Sequence, residues 1–159
     1  MASRDAMSAR PPAEATMRAF EHSLPMALLR AREAAMARFR PMLRSHGLTE
    51  QQWRVIRVLA DHDDIDASEL ARRSFLLAPS LTRILQHLEA ERLVRRRGDS
   101  RDQRRSVFAL TANGRRRFNA VAPDSEALYL QIEQEFGGER LERLYRLLAE
   151  FTEDLQPAT

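Results

Sequence analysis

The sequence predicts a mainly α-helical fold with one small β-hairpin, and three observations lead there. Apolar residues recur at three- and four-residue steps along most of the 159 residues. One stretch, Leu93 to Thr111 (LVRRRGDSRDQRRSVFALT), reads instead as two short strands around a turn-rich tip. Just before it come a short helix, a tight turn and a longer helix, which is the helix-turn-helix arrangement.

Composition narrows the class. A hydrophobic content of 43% beside 31% charged residues suits a soluble globular chain, and 159 residues suffice for one real core. No apolar run approaches the roughly 20 residues of a membrane span. Residues 1–16 hold Arg4, Arg10, Pro11 and Pro12 without an apolar signal core, so they read as a flexible tail on a cytoplasmic protein. Cysteine is absent, which excludes disulfides, thiol redox chemistry and cysteinyl metal sites. His22, His46, His62 and His87 are scattered without i, i+4 pairing, so neither a metal nor a cofactor is expected. No nucleophile–base pair or phosphate-binding glycine loop stands in recognisable context, so the chain is not expected to be an enzyme.

Taken in order, residues 14–44 read as helix interrupted near Pro25, with Leu24, Leu28, Ala31, Ala35, Phe39 and Leu43 on one stripe. Pro41 predicts a kink or local break, and Gly47 a stop. Thr49 caps the next helix, with Gln52 completing a capping box and Trp53, Ile56, Leu59 and Ala60 facing inward. Ile65 is expected to form a one-residue strand against the hairpin. Asp66 then caps a short helix to Ser74, with Glu69 in a D-x-x-E box and Leu70 and Ala71 inward.

Pro79 suits the first turn of the longer helix, where Leu81, Ile84, Leu85 and Leu88 make the inner stripe. At about 100° per residue, Pro79, Arg83, Gln86 and Ala90 then face outward, flanked by Ser80, Thr82 and His87. This outer face is small, polar and nearly uncharged, as close approach to base edges in a major groove requires. Ala78 is a poor N-cap, leaving backbone N–H groups for a DNA phosphate or for water. After the hairpin, a helix opening at Thr111-Ala112 is expected to lose regularity at Gly114, Pro123 and Asp124, then resume to Phe136. Gly137-Gly138 stops it, and Leu141, Leu144, Leu148, Phe151 and Leu155 form a packing seam on the last helix.

Charge is unevenly placed. Arg92 to Arg117 carries ten arginines against Asp99 and Asp102, a local net charge of +8 in a chain whose total is +3. That asymmetry suggests a polyanionic partner. The chain has no lysine; arginine suits bidentate recognition of phosphate and guanine, although codon bias accounts for it equally well.

Asp99, Arg101, Asp102, Arg104, Leu110 and Thr111 fall at D-x-R-D-x-R…L-T spacing, which resembles the wing of the MarR family of winged helix-turn-helix repressors. Leu48 to Trp53, Pro79 to Leu85, Leu88-Glu89 and Leu93 to Arg96 carry the resemblance further, over about Ser23 to Leu155. Ser23 to Glu33 is similar to the subgroup that controls homoprotocatechuate degradation. The resemblance implies a winged helix-turn-helix lobe at 48–111 and a helical dimerisation region at 17–47 and 112–159. It implies a homodimer on a pseudo-palindromic double-stranded operator, released by a small aromatic carboxylate under catabolic control. Ser80, Thr82, Arg83 and Gln86 match base- or phosphate-contacting positions, and Arg73 and Ser74 match the preceding turn. Arg101 matches a minor-groove arginine and Asp99 and Asp102 match bracing acids, with Arg104 either a phosphate contact or a brace partner. Effector candidates are Ser23 as hydroxyl donor, Arg30 or Arg40 as carboxylate partner, and Met26, Phe39 and Trp53 as apolar walls. Trp53, Met26 and Phe39 suit core packing as well, and the arginines suit ion pairs. The alternative function is a sequence-tolerant DNA-binding protein without an effector.

Overall fold

The computed structural model describes residues 17–98 and 106–155. Among the described residues, nine elements follow a 3-10 turn at Phe20–His22: α1 (Leu24–Ser45), α2 (Glu50–Asp61), β1 (Ile65–Asp66), α3 (Ala67–Ser74), α4 (Ala78–Ala90), β2 (Val94–Gly98), β3 (Ser106–Leu110), α5 (Ala112–Phe136) and α6 (Gly138–Asp154). The chain divides into two compact units, residues 1–35 and 36–159.

In the N-terminal unit, Arg30 donates to the Glu21 carbonyl oxygen at 2.7 Å and Arg32 pairs with Glu33 at 2.8 Å. Leu24, Leu28 and Leu29 are exposed. The helix begins only at Leu24, so Pro25 lies in its first turn, where a missing N–H costs little.

The larger unit holds the core. Leu43, Val55, Ile56, Leu59, Leu70, Leu81, Leu88 and Val121 are the largest fully buried apolar side chains among the described residues. The expected inner stripe of α4 is buried in full, at Leu81, Ile84, Leu85 and Leu88. Thr49 caps α2 reciprocally with Gln52, as its sequence requires. The sheet is antiparallel in the order β1-β3-β2, with Ile65 opposite Phe108 and Arg96 opposite Phe108 on the other side. Ile65 therefore does join the hairpin, within a two-residue strand.

Neither expected helix break occurs. Helix α1 runs through Pro41 and α5 runs through Pro123. Each proline is exposed and lies two residues from a buried side chain on both sides: Phe39 and Leu43 in α1, Val121 and Ser125 in α5. A proline costs a helix interior about 3 kcal/mol. Burial of the apolar neighbours Phe39 and Leu43 in α1 and Val121 in α5 works against that cost, and both helices stay continuous.

Gly114 has a role other than breaking α5. Thr111 caps the helix by accepting from Gly114 N–H at 3.0 Å, while Thr111 N–H donates to the Leu93 carbonyl oxygen at 3.0 Å. A Cβ at Gly114 would lie 2.0 Å from that same Leu93 oxygen. Only glycine lets α5 start this close to the end of the α4–β2 connection.

Candidate nucleic-acid interface

The helix-turn-helix is assembled by α3, the turn Phe75–Leu77 and α4. Asp66 caps α3 by accepting from Glu69 N–H at 2.9 Å. The Glu69 carboxylate takes Arg72 at 2.6 Å and Arg73 at 2.6 Å. The Arg72 guanidinium, with Arg73 beside it, holds the Glu69 carboxyl down to about 2. Arg73 also meets His62 Nε2 at 3.0 Å. The Glu-to-Arg spacing of three and four residues made this cluster readable from the sequence, although the expected emphasis fell on Arg73 alone.

Ser74, expected in the DNA-contacting turn, has its side chain turned inward. It is fully buried and its hydroxyl donates to the Leu70 carbonyl oxygen at 2.6 Å, so its side chain seals the end of α3. The turn that follows is clamped from α2. Arg54 donates to the Ser74 carbonyl oxygen at 2.9 Å and to the Phe75 carbonyl oxygen at 3.5 Å. Glu50 holds the same guanidinium at 2.9 Å, and Arg40 of α1 reaches Glu50 at 3.3 Å. Sequence reasoning missed the clamp, because nothing local indicates that Arg54 meets a turn twenty residues away.

Helix α4 starts one residue earlier than expected. Its N-cap is Leu77, which offers no side-chain acceptor. Thr82, Arg83, Gln86 and His87 are exposed and Ser80 is half-buried. Thr82 bonds back to the Ala78 carbonyl oxygen at 2.9 Å. Arg83 and Gln86 have no hydrogen-bond or ion-pair partner among the described residues. The β2 arginines Arg95, Arg96 and Arg97 are also exposed. Arg97 pairs with Asp64, and Arg96 donates to Ser106 Oγ at 2.9 Å. Asp99, Arg101, Asp102 and Arg104 lie outside the described residues.

The effector candidates fall in both units. In the larger one, Trp53 is buried and stacks on Phe118 with ring centres 5.6 Å apart. Phe39 is buried against Tyr129 at 4.9 Å. Both hold core positions in the protomer, and Arg40 faces Glu50 as described above. In the N-terminal unit Ser23 and Met26 are half-buried and Arg30 is exposed. No group of histidine, aspartate and glutamate side chains suited to a metal ion occurs among the described residues. None of the described helices is long and apolar enough to cross a membrane.

A three-stranded sheet behind a helix-turn-helix, with a basic β2, defines a winged helix-turn-helix protein. Residues 46–105 match the model described as the MarR family. The chain is 46% identical to the homoprotocatechuate degradative operon repressor of Escherichia coli over 129 residues, 81% of this chain and 87% of that one. It resembles the crystal structure of transcriptional regulator PA4135, with TM-score 0.80 and 44% identity over 85% of this chain and 98% of that one. It also resembles NadR in complex with 4-hydroxyphenylacetate, with TM-score 0.74 and 40% identity over 85% and 96%. The chain belongs to the MarR family of transcriptional regulators.

Proposed function

We propose that this protein is a cytoplasmic, homodimeric repressor that reads a pseudo-palindromic operator and leaves it when a small aromatic carboxylate binds. The observation that carries the reading is the outer face of α4, where Arg83 and Gln86 project without partners among the described residues. A solvated helix face of this length more often carries paired charges; donors left open beside small side chains suit base edges. Ser80 and Thr82 stand beside them, Arg73 serves phosphate by exchanging Glu69 for it, and Arg101 and Arg104 contact DNA from the wing with Asp99 and Asp102 as braces. Residues 48–111 form the reading lobe in this account, and 17–47 with 112–159 the dimerisation region.

The relative that represses a homoprotocatechuate operon and the neighbour that binds 4-hydroxyphenylacetate both support an aromatic acid as effector. Arg40 would serve its carboxylate in exchange for Glu50, with Phe39 and Trp53 as walls in the larger unit. Ser23, Met26 and Arg30 remain the candidates of the N-terminal unit.

The test is a titration of the gene's own upstream duplex at 50 and 200 mM salt, with and without 4-hydroxyphenylacetate. With roughly 6–10 phosphate contacts, affinity falls about 10³–10⁵-fold between the two salts. Preference over random duplex, lost at one base step in Arg83→Ala, is the expected result. Uniform loss across all sequences favours the sequence-tolerant alternative.

A further inference from the structure

We propose that Phe75 and Leu77 form an apolar reading edge for thymine methyl groups, making the turn before α4 a determinant of base selection; this rests on the DNA-binding reading above. The two side chains are 85% and 78% exposed, the most exposed large apolar residues of the larger unit. Leu76 between them is half-buried and packs against the core. The turn therefore points out, in and out, with its middle residue as the anchor.

Phe75 also sits at φ 51° and ψ 48°, in the left-handed region. Glycine or asparagine fills such a helix end readily, whereas an aromatic ring is disfavoured there. An exposed ring in a disfavoured backbone conformation serves neither the core nor the turn. The turn is nevertheless held firmly. Leu76 N–H donates to the Ala71 carbonyl oxygen at 3.0 Å, and Arg54 clamps the Ser74 and Phe75 carbonyl oxygens. The apolar pair is thus presented on a fixed backbone, so little freedom remains to be lost on contact.

The chemistry of the occupant follows from the neighbours. Arg72 and Arg73 precede the pair, two cations against the one Glu69 carboxylate that holds them, and no acidic residue occurs from Phe75 to Leu88. The surface suits an anionic partner that also offers small apolar spots. Duplex DNA is such a partner, because the thymine C5-methyl projects into the major groove beside the phosphates.

The experiment uses the full-length protein and a duplex it selects from a random-sequence pool. Each thymine is replaced singly by deoxyuridine, which removes only the methyl group. Wild type should lose about fourfold affinity at one or two thymines in each half-site, the worth of one buried methyl. Leu77→Ala and Phe75→Gly should bind the thymine duplex more weakly and no longer distinguish uracil at those steps. Phe75→Gly should unfold no earlier than wild type, since glycine suits the backbone there. Tight wild-type binding that ignores every uracil overturns the proposal and leaves the DNA reading intact. So does an unchanged uracil penalty in both variants, or variants altered only in oligomeric state. Failure to select any duplex overturns the DNA reading itself.

Discussion

Helices α4 and α6 carry similar apolar spacing and have opposite fates. In α4 the stripe Leu81, Ile84, Leu85 and Leu88 is buried by the rest of its own protomer. In α6 no residue is buried: Leu144 is 39% exposed and Leu148 38%, with Leu141 and Phe151 half-covered and Leu155, just past its end, 65% exposed. One helix faces a core the chain itself completes; the other presents a seam that the chain leaves open. Periodicity specifies the face of a helix but not what lies against it. The α4 lobe is built to keep its structure alone, and α6 is built to meet something. On the dimeric reading proposed above, that something would be the same helix region of a second copy.

The strongest way to break this contrast is to charge the open seam. Leu144→Arg with Leu148→Arg places two cations where the second copy would pack, at positions that stay more than a third exposed within the protomer. Sedimentation should show a monomer, and circular dichroism an unchanged helical content. Operator affinity should fall about 10²–10⁴-fold, because two linked half-site contacts become two separate ones. A variant that stays dimeric would place the interface elsewhere and end the comparison.

The closed side of the contrast is sharpened by Gly114→Ala. The new methyl group would collide with the Leu93 carbonyl oxygen, which is backbone and cannot swing aside. Overpacking of this kind costs about 1–3 kcal/mol, and the site stands at the upper end because the Thr111 cap shares the same carbonyl. Urea unfolding of the variant measures it. An unchanged midpoint would mean that α5 can slide along β2, and that the lobe is less closed than its burial indicates.

The two helices also mark where the sequence was legible. The order of elements, the Thr49 box, the Ile65 strand and the inner stripe of α4 were all readable, because each depends on residues a few positions apart. The prolines misled. Pro41 and Pro123 speak locally for a break, while the core packing of Phe39, Leu43 and Val121 decides otherwise through contacts far along the chain. Ser74 was placed at the DNA-contacting turn by the family resemblance, and only the fold reveals that its side chain is buried and its hydroxyl closes α3. The outer face of α4 could be named in advance; the Arg54 clamp on the turn below it could not.

The smallest effect belongs to α3, where the two regions' contrast recurs on the scale of one side chain. Arg83 of α4 stays open among the described residues, whereas Arg72 and Arg73 are already taken by Glu69. The Glu69 carboxyl, held at about 2, binds its proton less readily folded than unfolded, where about 4.3 is usual. Its contribution to stability is therefore complete above about pH 4.3 and fades as the pH falls through 2. The pair is exposed, so solvent screening keeps the contribution small. Glu69→Gln should follow the wild-type unfolding curve at pH 2 and fall slightly below it by pH 5. Carboxyl NMR should find the Glu69 midpoint near 2 in wild type and higher in Arg72→Gln. A wild-type midpoint near 4.3 would mean that the arginines swing free in solution, and that α3 offers phosphate the same open donors as α4.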